Sequence, residues 1–97
     1  MLKNIIDIIE KAKELSADAA EIFRGEIFFQ KGGRDIATEN VLFWEEGSFV
    51  FNSKGEKITN EEYRRNRKDF NNRPVMAATD TTLHGDQMTI AFYFTAS

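Results

Sequence analysis

Asp80 and Tyr93 are the residues of this chain best placed for chemistry. They fall in two alternating runs, residues 75–83 and 88–95, that read as the arms of a hairpin. With Leu83 opposite Met88, one face carries Met76, Ala78, Asp80, Thr82, Thr89, Ala91, Tyr93 and Thr95, and Tyr93 lies diagonal to Asp80. There a carboxylate could serve as base and a phenol as hydrogen-bond donor. Two plainer readings stand beside that one: a dimer interface, and a half-exposed sheet face with a surface aspartate. The plainest, the surface aspartate, is preferred.

His84 is the one histidine and sits beside Gly85-Asp86, so it reads as an exposed turn residue. A catalytic role would need a carboxylate or nucleophile brought from elsewhere, and no residue near it in sequence is marked for that. Arg64, Arg65, Arg67, Lys68 and Arg73 form the basic patch, with asparagines between them. Such a helix could grip phosphates. Glu61, Glu62 and Asp69 dilute it, and no aromatic residue is set for base stacking, so a solvated helix is preferred. Trp44 lies between Phe43 and Glu45-Glu46, which resembles an apolar ligand wall beside acids. More often a Trp in such company is core. Asp7, Glu10, Glu14, Asp18 and Glu21 form an acidic band that could mimic nucleic-acid phosphates, but Lys11 and Lys13 interrupt it.

Composition narrows the field further. Nine Phe, no Cys and one His among 97 residues describe a chain rich in core and poor in catalytic groups. Zero Cys removes disulfides, thiolate nucleophiles and cysteine-bound metal. A net charge of −3 does not describe a protein that coats DNA. Residues 1–50 hold six Lys/Arg against ten Asp/Glu, while residues 51–97 hold seven against six. No stretch approaches the ~20 apolar residues of a membrane span, and no signal-peptide core follows the N-terminus. The chain reads as cytoplasmic, without membrane, metal or cofactor.

These side chains need elements to position them. Ile5, Ile8, Ile9, Ala12 and Leu15 recur at helical spacing, which predicts a helix over residues 3–15. Ser16 offers an N-cap, strong helix formers follow, and Gly25 suits a C′ position. The pattern therefore predicts a second helix over residues 16–24 in preference to one continuous helix. Residues 26–30 read as a strand, Gly32-Gly33 as a turn, and residues 36–45 as a second strand. Glu46-Gly47 would close a hairpin into residues 49–52. Both faces of these segments are apolar, which predicts central strands covered on two sides. Thr59-Asn60-Glu61-Glu62 matches a capping box, so a short helix starts there, with Tyr63 and Phe70 inward. In the last hairpin Gly85-Asp86 suits a type II′ turn, and the face with Val75, Ala77, Thr79, Thr81, Leu83, Met88, Ile90, Phe92 and Phe94 must be core.

Residues 16–23, Ser16-Ala17-Asp18-Ala19-Ala20-Glu21-Ile22-Phe23, resemble the second helix of the nuclear-transport-factor-like superfamily. That superfamily includes ketosteroid isomerase and the polyketide cyclases. Residues 55–63, from Gly55 through Glu61-Glu62-Tyr63, are similar to its G-x-x-x-x-x-E-E-[FY] entry into a third helix. The resemblance implies a bent sheet wrapped round helices, a cone-shaped cavity and, often, a dimer. It makes Trp44, Tyr63, Asp80 and Tyr93 the ligand-pocket candidates and carries over no catalytic residue.

The expectation is a single α+β domain over residues 1–97, with N-terminal helices and one short middle helix packed on an antiparallel sheet of about five strands. A homodimer would follow if the last strand lies at an edge, and it would also cover Val41 and Phe43. The favoured function is a small non-catalytic binding protein acting through a protein–protein surface, of a kind that suits a phage or other mobile element. Behind it stand a small-molecule-pocket protein of isomerase or cyclase type using Asp80, and nucleic-acid binding through the basic helix 64–73.

Overall fold

A computed structural model of the chain describes residues 1–67, 76–81 and 86–93. The chain order is α1 (Ile5–Leu15), β1 (Ala19–Phe23), β2 (Glu26–Lys31), β3 (Arg34–Asn40), β4 (Ser48–Phe51), β5 (Lys57–Ile58), α2 (Asn60–Arg67), β6 (Met76–Thr81) and β7 (Gln87–Tyr93). The expected α+β class and antiparallel sheet are present. The sheet has seven strands among the described residues, in the order β3-β2-β1-β7-β6-β4-β5, where about five were expected; the two beyond the expectation are β1, in residues expected to be helix, and the two-residue β5.

α1 forms where its apolar spacing predicts. The Asn4 side chain accepts from the Asp7 N–H at 2.9 Å, and the Asp7 carboxylate accepts from the Lys3 N–H at 3.0 Å. These bonds satisfy two amides at the helix entrance. Ile5, Ile8, Ile9 and Ala12 are its buried stripe.

Ser16 ends α1 instead of starting a second helix. It is left-handed (φ 55°), and its N–H returns to Ala12 and Lys13, while the Ala17 N–H bonds Ala12 at 2.9 Å. Residues 19–23 are then a strand, not the expected helix. Tertiary pairing overrides helix propensity here. β1 has a ladder partner on each side, β2 and β7, and its alternation buries Ala20 and Ile22. Arg24 and Gly25 both have positive φ (50° and 82°), the signature of a two-residue I′ hairpin turn between β1 and β2. Gly32-Gly33 repeats it between β2 and β3.

The second expected strand stops early. β3 ends at Asn40, residues 42–46 have no regular structure, and β4 pairs with β5 and β6 rather than returning on β3. Val41 is buried and Phe43 is packed against the core, so the apolar residues expected to need a second layer are largely absorbed within the chain. β3 is one edge of the sheet. Register shifts between Phe29 and Gln30, and Leu2 bonds Asn40 and Leu42 at the far end of the strand, so the edge is a broken template for further pairing. β7, the last described strand, is central, lying between β1 and β6. The edge on which the dimer expectation rested is therefore not there.

The stripe of α1 and the inner face of the sheet form one buried cluster. It includes Ile22, Ile27, Phe29, Phe51, Met88, Ile90 and Phe92. Thr79 is buried on that face. Its hydroxyl accepts from the Phe49 N–H at 3.3 Å and donates to the Phe49 carbonyl at 3.4 Å, so both of its needs are met.

The capping reading of α2 holds: the Thr59 hydroxyl accepts from the Glu62 N–H at 3.1 Å. Thr59→Ala should cost about 1 kcal/mol in urea unfolding. An unchanged midpoint would show that this bond contributes nothing. Phe70, the second inward residue expected for this helix, lies outside the described residues.

Candidate interaction face

The register of the β6–β7 hairpin decides the site. Thr81, not Leu83, pairs with Met88, so the pairing is shifted by two residues. A two-residue shift keeps every side chain on its expected face, because side-chain direction alternates with period two. Ala77, Thr79, Met88, Ile90 and Phe92 are buried as expected, Thr81 is half-buried, and Val75, Leu83 and Phe94 lie outside the described residues. The shift does move cross-strand neighbours. Asp80 now faces Thr89, and Tyr93 faces Met76. Tyr93 stands four residues from Asp80's partner, roughly 13 Å along the strand. The diagonal acid–phenol pair does not form. The II′ turn and His84 lie outside the described residues.

The ladders align the outer face of the sheet in rows. One row runs Ile58, Val50, Ala78, Ala91, Ala19, Gln30 and Asp35, crossing all seven strands. The next runs Ser48, Asp80, Thr89, Glu21, Phe28 and Thr38. The alanines leave a floor without bulk. Above it lies a depression of about 320 Å³ bordered by Glu21, Gln30, Asp80 and Thr89. A second depression, of about 340 Å³, adjoins it between Phe23, Phe28, Asp35 and Gln87. Glu21 and Gln30 line both, so the two form one shallow trough across the sheet.

Its charge has one sign. Glu21, Glu26, Asp35 and Asp80 occupy outer-face positions, and no Lys or Arg does among the described strand residues. The carboxylates of Asp80 and Glu21 share a row two strands apart, about 10 Å. Asp80 accepts from the Ser48 hydroxyl at 2.8 Å, and Asp35 accepts from the Gln30 amide at 3.2 Å. At the end of the face the Arg24 guanidinium rests 4.9 Å from the Phe23 ring centre, and Phe23 stays 40% exposed.

The four pocket candidates do not share one cavity. Tyr63 of α2 meets Tyr93 with ring centres 5.8 Å apart, which sets α2 at that end of the outer face. Asp80 borders the trough. Trp44 is elsewhere. With Ile22, Val41 and Phe43 it lines an apolar crevice of about 280 Å³ at the β1–β2 turn. The acid beside it, Glu45, is paired with Lys57, whose ammonium also lies 4.1 Å from the Phe49 ring centre.

Of the basic patch, Arg64 and Arg65 are exposed on α2, Arg67 closes the helix, and Lys68 and Arg73 lie outside the described residues. The acidic band is divided. Glu14 pairs with Lys11 at 3.8 Å on α1, the Asp18 carboxylate accepts from the Gly32 N–H at 2.9 Å, and Glu21 turns to the outer sheet face. Among the described residues no cluster of His, Asp and Glu could hold a metal, and no helix is long and apolar enough to cross a membrane.

Sequence reasoning missed Glu21 and Ala19 as parts of this face because it read residues 16–24 as a helix. The signal was present in the alternation of Ala20 and Ile22 against Ala19, Glu21 and Phe23. Comparison with known proteins returns no matching family, no matching curated protein and no matching solved structure.

Proposed function

We propose that this is a small non-catalytic binding protein that acts through a protein–protein surface, and that the surface is the outer sheet face. One observation carries the reading. Three carboxylates, Glu21, Asp35 and Asp80, stand around an open, alanine-floored trough, with no cation on its described strand positions. Like charges on a low relief favour a partner of opposite sign and speed its encounter. They also oppose stacking this sheet face on its own copy. The partner therefore presents Lys and Arg.

The alternatives take second place for physical reasons. An isomerase or cyclase using Asp80 needs a closed, water-poor site around the base. Asp80 is exposed on a shallow face, and Trp44, Tyr63 and Tyr93 are spread over two other places. The nuclear-transport-factor-like resemblance supports that pocket reading and ranks with it. Binding of nucleic acid through the basic helix has Arg64 and Arg65 in its favour but sets them beside an acidic sheet.

The test uses charge reversal. A protein captured by the wild-type chain from its source cells is identified and titrated against purified chains. Glu21→Lys with Asp80→Lys should weaken that complex at least tenfold, and raised salt should weaken the wild-type complex in the same direction. Circular dichroism establishes that the variant is folded. A double reversal that binds as well as wild type removes the trough from the interface.

A further inference from the structure

The trough selects the backbone form of its occupant as well as its charge. We infer that it takes a basic amphipathic helix of the partner; this rests on the protein-binding reading above.

An extended segment laid on this face would lose water from its amides and carbonyls. The face returns little in exchange, because the strands beneath it are already paired: β1 bonds β2 and β7, and β7 bonds β1 and β6. Each backbone group left unpaired against an alanine floor costs free energy comparable to a lost hydrogen bond. A strand docks at an edge, and the long edge strand here, β3, has a register break and is occupied by Leu2 at one end. A helix satisfies its own backbone and needs only side-chain contact.

The dimensions agree. The trough crosses five strands from β6 to β3, four spacings or roughly 19 Å, which corresponds to roughly 13 residues of helix. Ala19, Ala78 and Ala91 carry no side chain beyond Cβ, so a helix can approach closely over them. Phe23, Phe28 and Tyr93 stand higher on the same face and would border its path. Asp80 and Glu21 lie along one side of the alanine row, and Asp35 lies at its end. The matching helix therefore has a stripe of small apolar residues with Lys or Arg along one side of it and at one end, whose stems lie along apolar surface while their ammonium or guanidinium groups reach the carboxylates.

A synthetic peptide of about 15 residues, long enough to form a helix, tests this: an Ala/Leu stripe with lysines along one side and at one end, against a scrambled peptide of the same composition. Methyl NMR on the full chain reads the site. The amphipathic peptide should shift the Ala19, Ala78 and Ala91 methyls and leave Ile8 and Ala12 of α1 unmoved. It should bind about tenfold more tightly than the scrambled form and lose that advantage with Glu21→Gln. Equal binding by both peptides at the alanine methyls sinks the helix and leaves a basic-partner surface standing. Shifts confined to other surfaces, or no shifts at millimolar peptide, also sink it. Capture of the natural partner at wild-type strength by the Glu21→Lys/Asp80→Lys chain would separately remove the trough from the interface.

Discussion

Phe29→Ala should remove about 3–5 kcal/mol of stability. Phe29 is fully buried on the inner sheet face and stacks on Phe92 with ring centres 6.4 Å apart and planes 22° apart. Truncation gives up its burial and leaves a cavity that sheet backbone on one side and α1 on the other can only partly close. A domain of this length holds roughly 5–15 kcal/mol in total, so the variant sits close to its unfolding threshold. Thermal unfolding should fall by roughly 15 °C or more. Phe28→Ala is the control. Phe28 points to the opposite face from Phe29 and is half-buried, so its loss should be clearly smaller. If the two variants melt together, the inner and outer faces of β2 have been wrongly assigned.

Gly55→Ala should cost about 2–4 kcal/mol, an unusually large effect for a loop residue bearing one added methyl. Gly55 has φ +78°, where an L-residue is strained. The new methyl would also strike the Ile6 side chain and stand 3.2 Å from Cγ2 of Ile5, at the start of α1. Ile5 is core and cannot withdraw freely, whereas Ile6 is 38% exposed. The steric part should therefore be relieved by Ile6→Ala. In the double variant the loss should fall back toward the backbone strain alone, a coupling read directly by a double-mutant cycle. Strict additivity would mean that the loop at Asn52–Gly55 does not press on α1. The same loop is organised by Asn52, whose side chain accepts from the Lys54 and Glu56 amides at 2.9 and 3.0 Å. It has little freedom to move aside.

The two-sided consequences for binding follow from the same sheet. Charges on the outer face can be changed without touching the cluster that holds the fold, because Glu21 alternates with the buried Ala20 and Ile22 on a single strand. That separation makes the charge-reversal experiment a test of recognition rather than of stability.

Local chemistry was legible where local chemistry decides. The stripe of α1, the cap at Thr59, the Gly32-Gly33 turn and the inner face of the last hairpin all depend on residues within a few positions of one another, or on a period of two or 3.6. Three matters needed the folded chain. Residues 16–24 carry good helix formers, yet they become β1 because β2 and β7 offer ladders on both sides, and β7 is some seventy residues away in sequence. The hairpin register follows from its neighbours, since hydrophobic alternation is blind to a slip of two. The acidic trough exists only because β6, β7, β1, β2 and β3 lie side by side, bringing Asp80 onto one surface with Glu21 and Asp35 from the far end of the sequence. Periodicity chooses which way a side chain points; long-range pairing chooses what stands beside it, and a binding surface is made of the second.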